Sequence, residues 1–160
     1  MRFKSFLNQM KEPIYKDDLK RVLLNGLLYS VVFGALFGAL QFLTENYMGL
    51  SMGIFVFAIS FLLARKISES FFTFHLWYPI ITVCYFLLGY VIYNFTKIVF
   101  IFHDFQVGFK IFFSQLGLNF LFGFFNVFNY VGISALYNLL DLLIFVGSII
   151  TAWQIVYRRR

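Results

Sequence analysis

Long apolar runs alternate with short polar breaks along this chain. The first run covers about 22–43 and ends in TENYMG. The second covers about 48–64 and stops at Arg65 and Lys66. The third begins at Leu76, in FFTFHLWYP, and reaches Phe95 or beyond. After the polar break FHDFQVGFK, residues 102–110, two more runs follow, about 111–129 and 134–157, hinged at NYVG. About 20 apolar residues carry a helix across the hydrocarbon core of a bilayer. The pattern therefore predicts an all-α, polytopic integral membrane helix bundle with five membrane-embedded helices. No repeat of fixed period is visible.

Residues 1–21 form a basic N-terminal segment ahead of the runs. Phe3, Phe6, Leu7 and Met10 fall at helical spacing, with Arg2, Lys4 and Asn8 off that stripe. This predicts a short amphipathic helix on the inner leaflet, with a disordered leader as the alternative. Pro13 ends it, because proline lacks a donor and disfavours helix in the residue before it. Asp17 or Asp18 is placed to cap the first long helix. Residues 22–160 then make a single transmembrane domain.

Charge changes the picture by setting topology. Eleven of the thirteen basic residues flank the proposed inner ends of the runs: Arg2, Lys4, Lys11, Lys16, Lys20, Arg21, Arg65, Lys66 and Arg158 to Arg160. That is the positive-inside pattern, and it puts both termini in the cytoplasm. Trp153 and Tyr157 mark the last inner interface. Five full crossings would leave the final three arginines outside. The pattern favours four crossings, with 111–129 entering and leaving on the outer side. Six is the other even solution, with 71–102 split into two short crossings.

Composition agrees with a bilayer. The 160 residues are 61% hydrophobic and 12% charged, against about a quarter charged in soluble domains. The net charge of +6 does not indicate nucleic acid, because the positive residues sit at the ends of apolar runs. A lone cysteine, Cys84, permits no internal disulfide and reads as a small hydrophobe. The first run is longer than a signal-peptide core and follows a charged leader. No small-x-small cleavage site precedes TENYMG, so a permanent anchor is expected.

Four features carry candidate chemistry. Gly26, Ser30, Gly34 and Gly38 recur every fourth residue and share one side of the first helix. Helices in a membrane gain from close packing, which small residues allow. The expected neighbour is either the chain's own second helix, with Gly49 and Gly53, or another subunit. Next, Gln115, Asn119 and Asn126 fall within about 40° of one another at 100° per residue. Amides in hydrocarbon need partners, so this stripe is either interhelical glue or the lining of a path for a neutral or zwitterionic solute. Asp141, with Asn138 three residues before it, is the only charge between Lys110 and Arg158. It reads as a functional carboxylate, a headgroup-level residue or a helix-start charge. Last, His75, His103 and Asp104 lie near polar breaks and read as interfacial.

HExxH, GxSxG and phosphate-loop motifs are absent from the sequence, and neither an enzyme, a metal nor a cofactor is expected. The expected function is a membrane subunit or small carrier with an amide-lined polar interior. The alternative is a non-transporting assembly, regulatory or immunity factor that binds a larger membrane partner through its glycine-rich first helix. Expected partners are the lipid bilayer and another membrane subunit or second copy. The expected location is the plasma membrane.

Overall fold

The computed structural model describes residues 13–48, 53–122 and 133–159. The expected amphipathic helix within residues 1–12 lies outside them. Six helices are present among the described residues: α1 (Lys16–Met48), α2 (Ile54–Ser68), α3 (Trp77–Phe102), α4 (Phe105–Phe112), α5 (Gln115–Phe122) and α6 (Ile133–Tyr157). Three of them, α1, α3 and α6, are long and apolar enough to cross a membrane.

The boundaries differ from the expected ones for identifiable reasons. Helix α1 already begins at Lys16, so Asp17 and Asp18 occupy its first turn rather than its cap. The Asp18 carboxylate is turned inward instead. It accepts from the backbone N–H groups of Phe72 and Thr73 at 3.2 and 3.1 Å and from the Thr73 hydroxyl at 2.9 Å. Helix α2 has 15 residues, a length of about 22 Å at 1.5 Å per residue. Arg65 and Lys66 do not stop it. They form its last turn, where cations suit the helix dipole, and both reach Glu69, at 3.3 and 3.0 Å. The Lys66 ammonium, then Arg65, hold the Glu69 carboxyl below the usual range despite some desolvation.

Helix α3 is continuous over 26 residues, so 71–102 does not split into two short crossings. The expected single segment 111–129 is also revised. Its first part is divided between α4 and α5, with a break at Phe113 and Ser114. Asp104 starts α4 early by accepting from the N–H groups of Gln106 and Val107 at 2.7 and 3.3 Å. The Ser114 hydroxyl bonds back to the Ile111 carbonyl at 2.6 Å. Gly117 then lies against the Phe112 carbonyl so closely that no side chain fits.

The buried side of α1 runs Asp18, Val22, Gly26, Ser30, Gly34, Gly38 and Gln41. It faces α3, not α2. A Cβ on Gly34 would stand 2.6 Å from the Gly89 carbonyl oxygen, and one on Gly38 2.5 Å from that of Tyr93. One on Gly26 would strike the Tyr85 ring. Gly89 is the matching small residue on α3: a Cβ there would lie 3.4 Å from the Ser30 carbonyl oxygen. Gly53 lies instead against Ile144 of α6, and Gly49 is outside the described residues.

Helix α6 closes the bundle against α2 and α3. The Ser60 hydroxyl donates to the Ser148 carbonyl at 2.5 Å, beside the fully buried Ala64 and Ala152. Phe145 packs on Phe86 and Tyr90 with ring centroids 5.9 and 4.9 Å apart. Both described chain ends lie at the same end of the bundle. There Asp18 meets the loop at 72–73, Phe74 packs on Tyr157, and Arg159 lies 5.5 Å over the Phe71 ring.

Glycine-to-alanine substitutions test the α1–α3 contact. Because a methyl group at Gly34 or Gly38 meets a backbone carbonyl, Gly34→Ala and Gly38→Ala should each destabilise the protein by about 1–3 kcal/mol, the usual cost of overpacking. Gly147 of α6 has nothing within 4 Å of its would-be Cβ, so Gly147→Ala should be neutral or slightly stabilising. Unfolding of the detergent-solubilised variants, followed by circular dichroism, measures the difference.

Candidate functional site

Charges from three helices gather at the end of the bundle opposite the termini. Glu45 lies three residues before the end of α1, and Lys97 five before the end of α3. Their side chains meet at 2.7 Å and are only 26% and 17% exposed. The Gln41 side-chain amide also donates to Glu45, at 2.6 Å. The close contact lower down fixes this meeting. With Gly38 against Tyr93 and Thr96, the next turns of α1 and α3 bring positions 45 and 97 face to face.

Depth follows from counting along the helices. Lys97 is 20 residues beyond Trp77, about 30 Å at 1.5 Å per residue. That is the thickness of the hydrocarbon layer, so the pair sits near the boundary opposite Trp77. Asp141 is 16 residues before Tyr157, about 24 Å, and therefore slightly deeper.

Asp141 belongs to the edge of this group. It is an exposed residue, lies within the electrostatic reach of Lys97 and Glu45, and forms no ion pair among the described residues. It stands eight residues inside α6 and is not a start charge for its own helix. Its Oδ1 would be 3.4 Å from a Cβ on Gly53, the residue that precedes α2. The N-terminus of α2 thus faces a carboxylate, the favourable sense for the helix dipole.

The other candidate residues are spread out. Gln115 and Asn119 are both exposed on α5. Asn138 is half-buried on α6, and Asn126 lies outside the described residues. Tyr90 ties α5 to α3, donating from its hydroxyl to the Leu121 carbonyl at 3.1 Å, while the Asn94 amide donates to the Tyr90 carbonyl at 2.9 Å. His75, His103 and Asp104 are used at helix ends. His75 Nδ1 accepts from the Trp77 N–H at 3.2 Å at the start of α3. His103 ends α3 with φ of 52°, a left-handed conformation in which histidine is enriched among non-glycine residues. Asp104 caps α4.

Sequence reasoning missed the Glu45–Lys97 pair. Glu45 falls in TENYMG, read as a short outer turn, and Lys97 was given no role. The signal was there: a basic residue away from the inner ends requires a partner, and Glu45 is the only acid between Arg21 and Arg65.

Comparisons of the chain with protein-family models, with curated proteins and with solved structures gave no match.

Proposed function

We propose that this is a small multi-pass protein of the plasma membrane with both termini cytoplasmic, acting as a membrane subunit or small carrier for a zwitterionic solute. Four crossings, by α1, α3, α6 and, as a short one of about 22 Å, the 15-residue α2, fit the shared position of the two chain ends. The observation that carries the functional reading is the gathering of Glu45, Lys97 and Asp141 from three helices. Charges at this depth are costly, and a structural pair would need only two of them. The third leaves an ammonium and two carboxylates near one mouth of the bundle. A zwitterion offers Lys97 a competing anion and Asp141 a cation, and the pair can open as the solute binds. The amides of Gln115 and Asn119 on α5 and of Asn138 on α6 add neutral hydrogen-bonding groups to this reading.

A second reading, a non-transporting interaction protein, is favoured by the exposed amides of α5. Its docking face would not be the glycine side of α1, which α3 already covers. The side opposite, with Leu24, Leu28, Val31 and Leu36 exposed, and the outer face of α5 are what a partner would meet.

A charge exchange separates these readings. Glu45→Gln and Lys97→Met should each lower the folded yield. Glu45→Lys combined with Lys97→Glu should restore yield but not activity, measured by complementing a deletion strain and normalising to membrane protein level. Full complementation by the exchanged pair and by Asp141→Asn would sink the carrier reading.

Topology is tested independently in a Cys84→Ser background. With Gln106→Cys, an impermeant maleimide should label intact cells. With Arg160→Cys it should label only after the membrane is opened. Labelling of Arg160→Cys in intact cells contradicts the cytoplasmic C-terminus.

A further inference from the structure

Helices α2 and α6 touch at Ser60 and Ser148 and again where Gly53, just before α2, meets Ile144. Between them lies an open, laterally accessible groove lined by Ile54, Phe57, Leu140, Leu143, Ile144 and Gly147. All six are apolar. Ile54 and Leu143 are about 60% exposed, and Gly147 leaves open space where a side chain would stand. From Leu140 to Gly147 the groove extends about 10 Å along α6.

This groove has a charged end. The would-be Cβ of Gly53 is 2.7 Å from the Ile144 side chain and 3.4 Å from Asp141 Oδ1. The carboxylate therefore lies beside Ile54 and Ile144, at the groove's mouth. Glu45 already has Lys97 at 2.7 Å, whereas Asp141 is without an ion pair among the described residues. A carboxylate about 24 Å from the Tyr157 level, near the far boundary of the hydrocarbon, is costly to leave facing lipid. An apolar slot with an anion at its boundary end complements an amphiphile with an apolar chain and a cationic head. A primary ammonium suits it better than a quaternary one, because only the former donates charge-assisted hydrogen bonds to a carboxylate.

We propose that the groove between α2 and α6 is a binding site for a phospholipid whose acyl chain lies along Gly147 and whose primary-ammonium headgroup pairs with Asp141. The site opens to the bilayer from the side; it shares Asp141 with the carrier reading, and its test reads lipid binding rather than solute activity.

The test uses the full chain in phosphatidylcholine vesicles. Phe57→Trp, with Trp77→Phe and Trp153→Phe, places a single tryptophan in the groove. Quenching is then measured as lipids with brominated chains are added, carrying ethanolamine, choline or glycerol headgroups. The ethanolamine lipid should quench at about two- to fivefold lower mole fraction than the other two, the factor expected of an exposed ion pair. Asp141→Asn should abolish that preference, and Asp141→Lys should transfer it to the anionic glycerol lipid. Gly147→Leu should reduce quenching by all three. Should the tryptophan variant fail to fold, mass spectrometry of lipids retained by the native chain and by Asp141→Asn reads the same preference. Equal quenching by all three lipids means unselective boundary lipid and overturns the proposal. So does a preference that survives Asp141→Asn. Absence of quenching by any lipid also overturns it, since the groove is then covered by a second copy or a partner chain.

Discussion

Between Ser30 and Gly38 the backbone of α1 lies directly on that of α3, with the carbonyl oxygens of Gly89 and Tyr93 where side chains of α1 would otherwise stand. In lipid, apolar surface alone brings no helices together, so dispersion at close range and interhelical hydrogen bonds must do so. Glycine in a helix interior costs about 0.5–1 kcal/mol relative to alanine. Repeating it on one side is worthwhile only where a neighbouring backbone comes this near. The rest of the bundle follows from this joint. At one end it sets Asp18 under the 72–73 loop, and at the other it sets Glu45 against Lys97. Phe86 and Tyr90 of α3 then receive Phe145 of α6.

The polar groups divide by depth. Near the chain ends they bind loops to helices, as Asp18 does to Thr73 and Asn25 does to Ser70 at 2.8 Å. In the middle they are few and neutral, and the Ser60 hydroxyl on the Ser148 carbonyl is the clearest joint between two helices. Ionised groups return only at the far end. Glu45 and Lys97 satisfy each other there, and Asp141, beside Gly53, has no ion pair among the described residues. One carboxylate more than the local structure uses is the feature on which both functional inferences rest, one directed at a solute and the other at a lipid.

Much of this was legible in the chain. The helical membrane character and the approximate places of α1, α3 and α6 follow from long apolar runs. The four-residue recurrence of Gly26, Ser30, Gly34 and Gly38 identified the side of α1 that is buried. It did not identify the neighbour, because the matching residue, Gly89, is single on α3 and Gly34 and Gly38 rest on the backbone carbonyls of Gly89 and Tyr93, which no side-chain pattern records. The C-terminal end of α2 was misplaced since lysine and arginine are good helix formers whose long stems can reach water from the last turn. The break between α4 and α5 was hidden for a different reason. Its causes are an aspartate cap, a serine bonding backwards and one glycine, all inside an otherwise apolar stretch. Gln115 and Asn119 do share one helix, α5, whereas Asn126 lies outside the described residues. The Glu45–Lys97 pair spans 52 residues, and only the packing of α1 on α3 brings its members together.

A disulfide across the central joint tests the account most directly. Ser30→Cys and Gly89→Cys, in a Cys84→Ser background, place the two sulfurs on facing backbones. A Cβ on Gly89 would be 3.7 Å from the Ser30 Cα, which brings the two cysteines next to each other. Mild oxidation in native membranes should give an intramolecular link, seen as a monomer whose mobility in denaturing gels changes on reduction. No link, or a covalent dimer in its place, would mean that the bare side of α1 faces lipid or another chain, and the arrangement described here would fail.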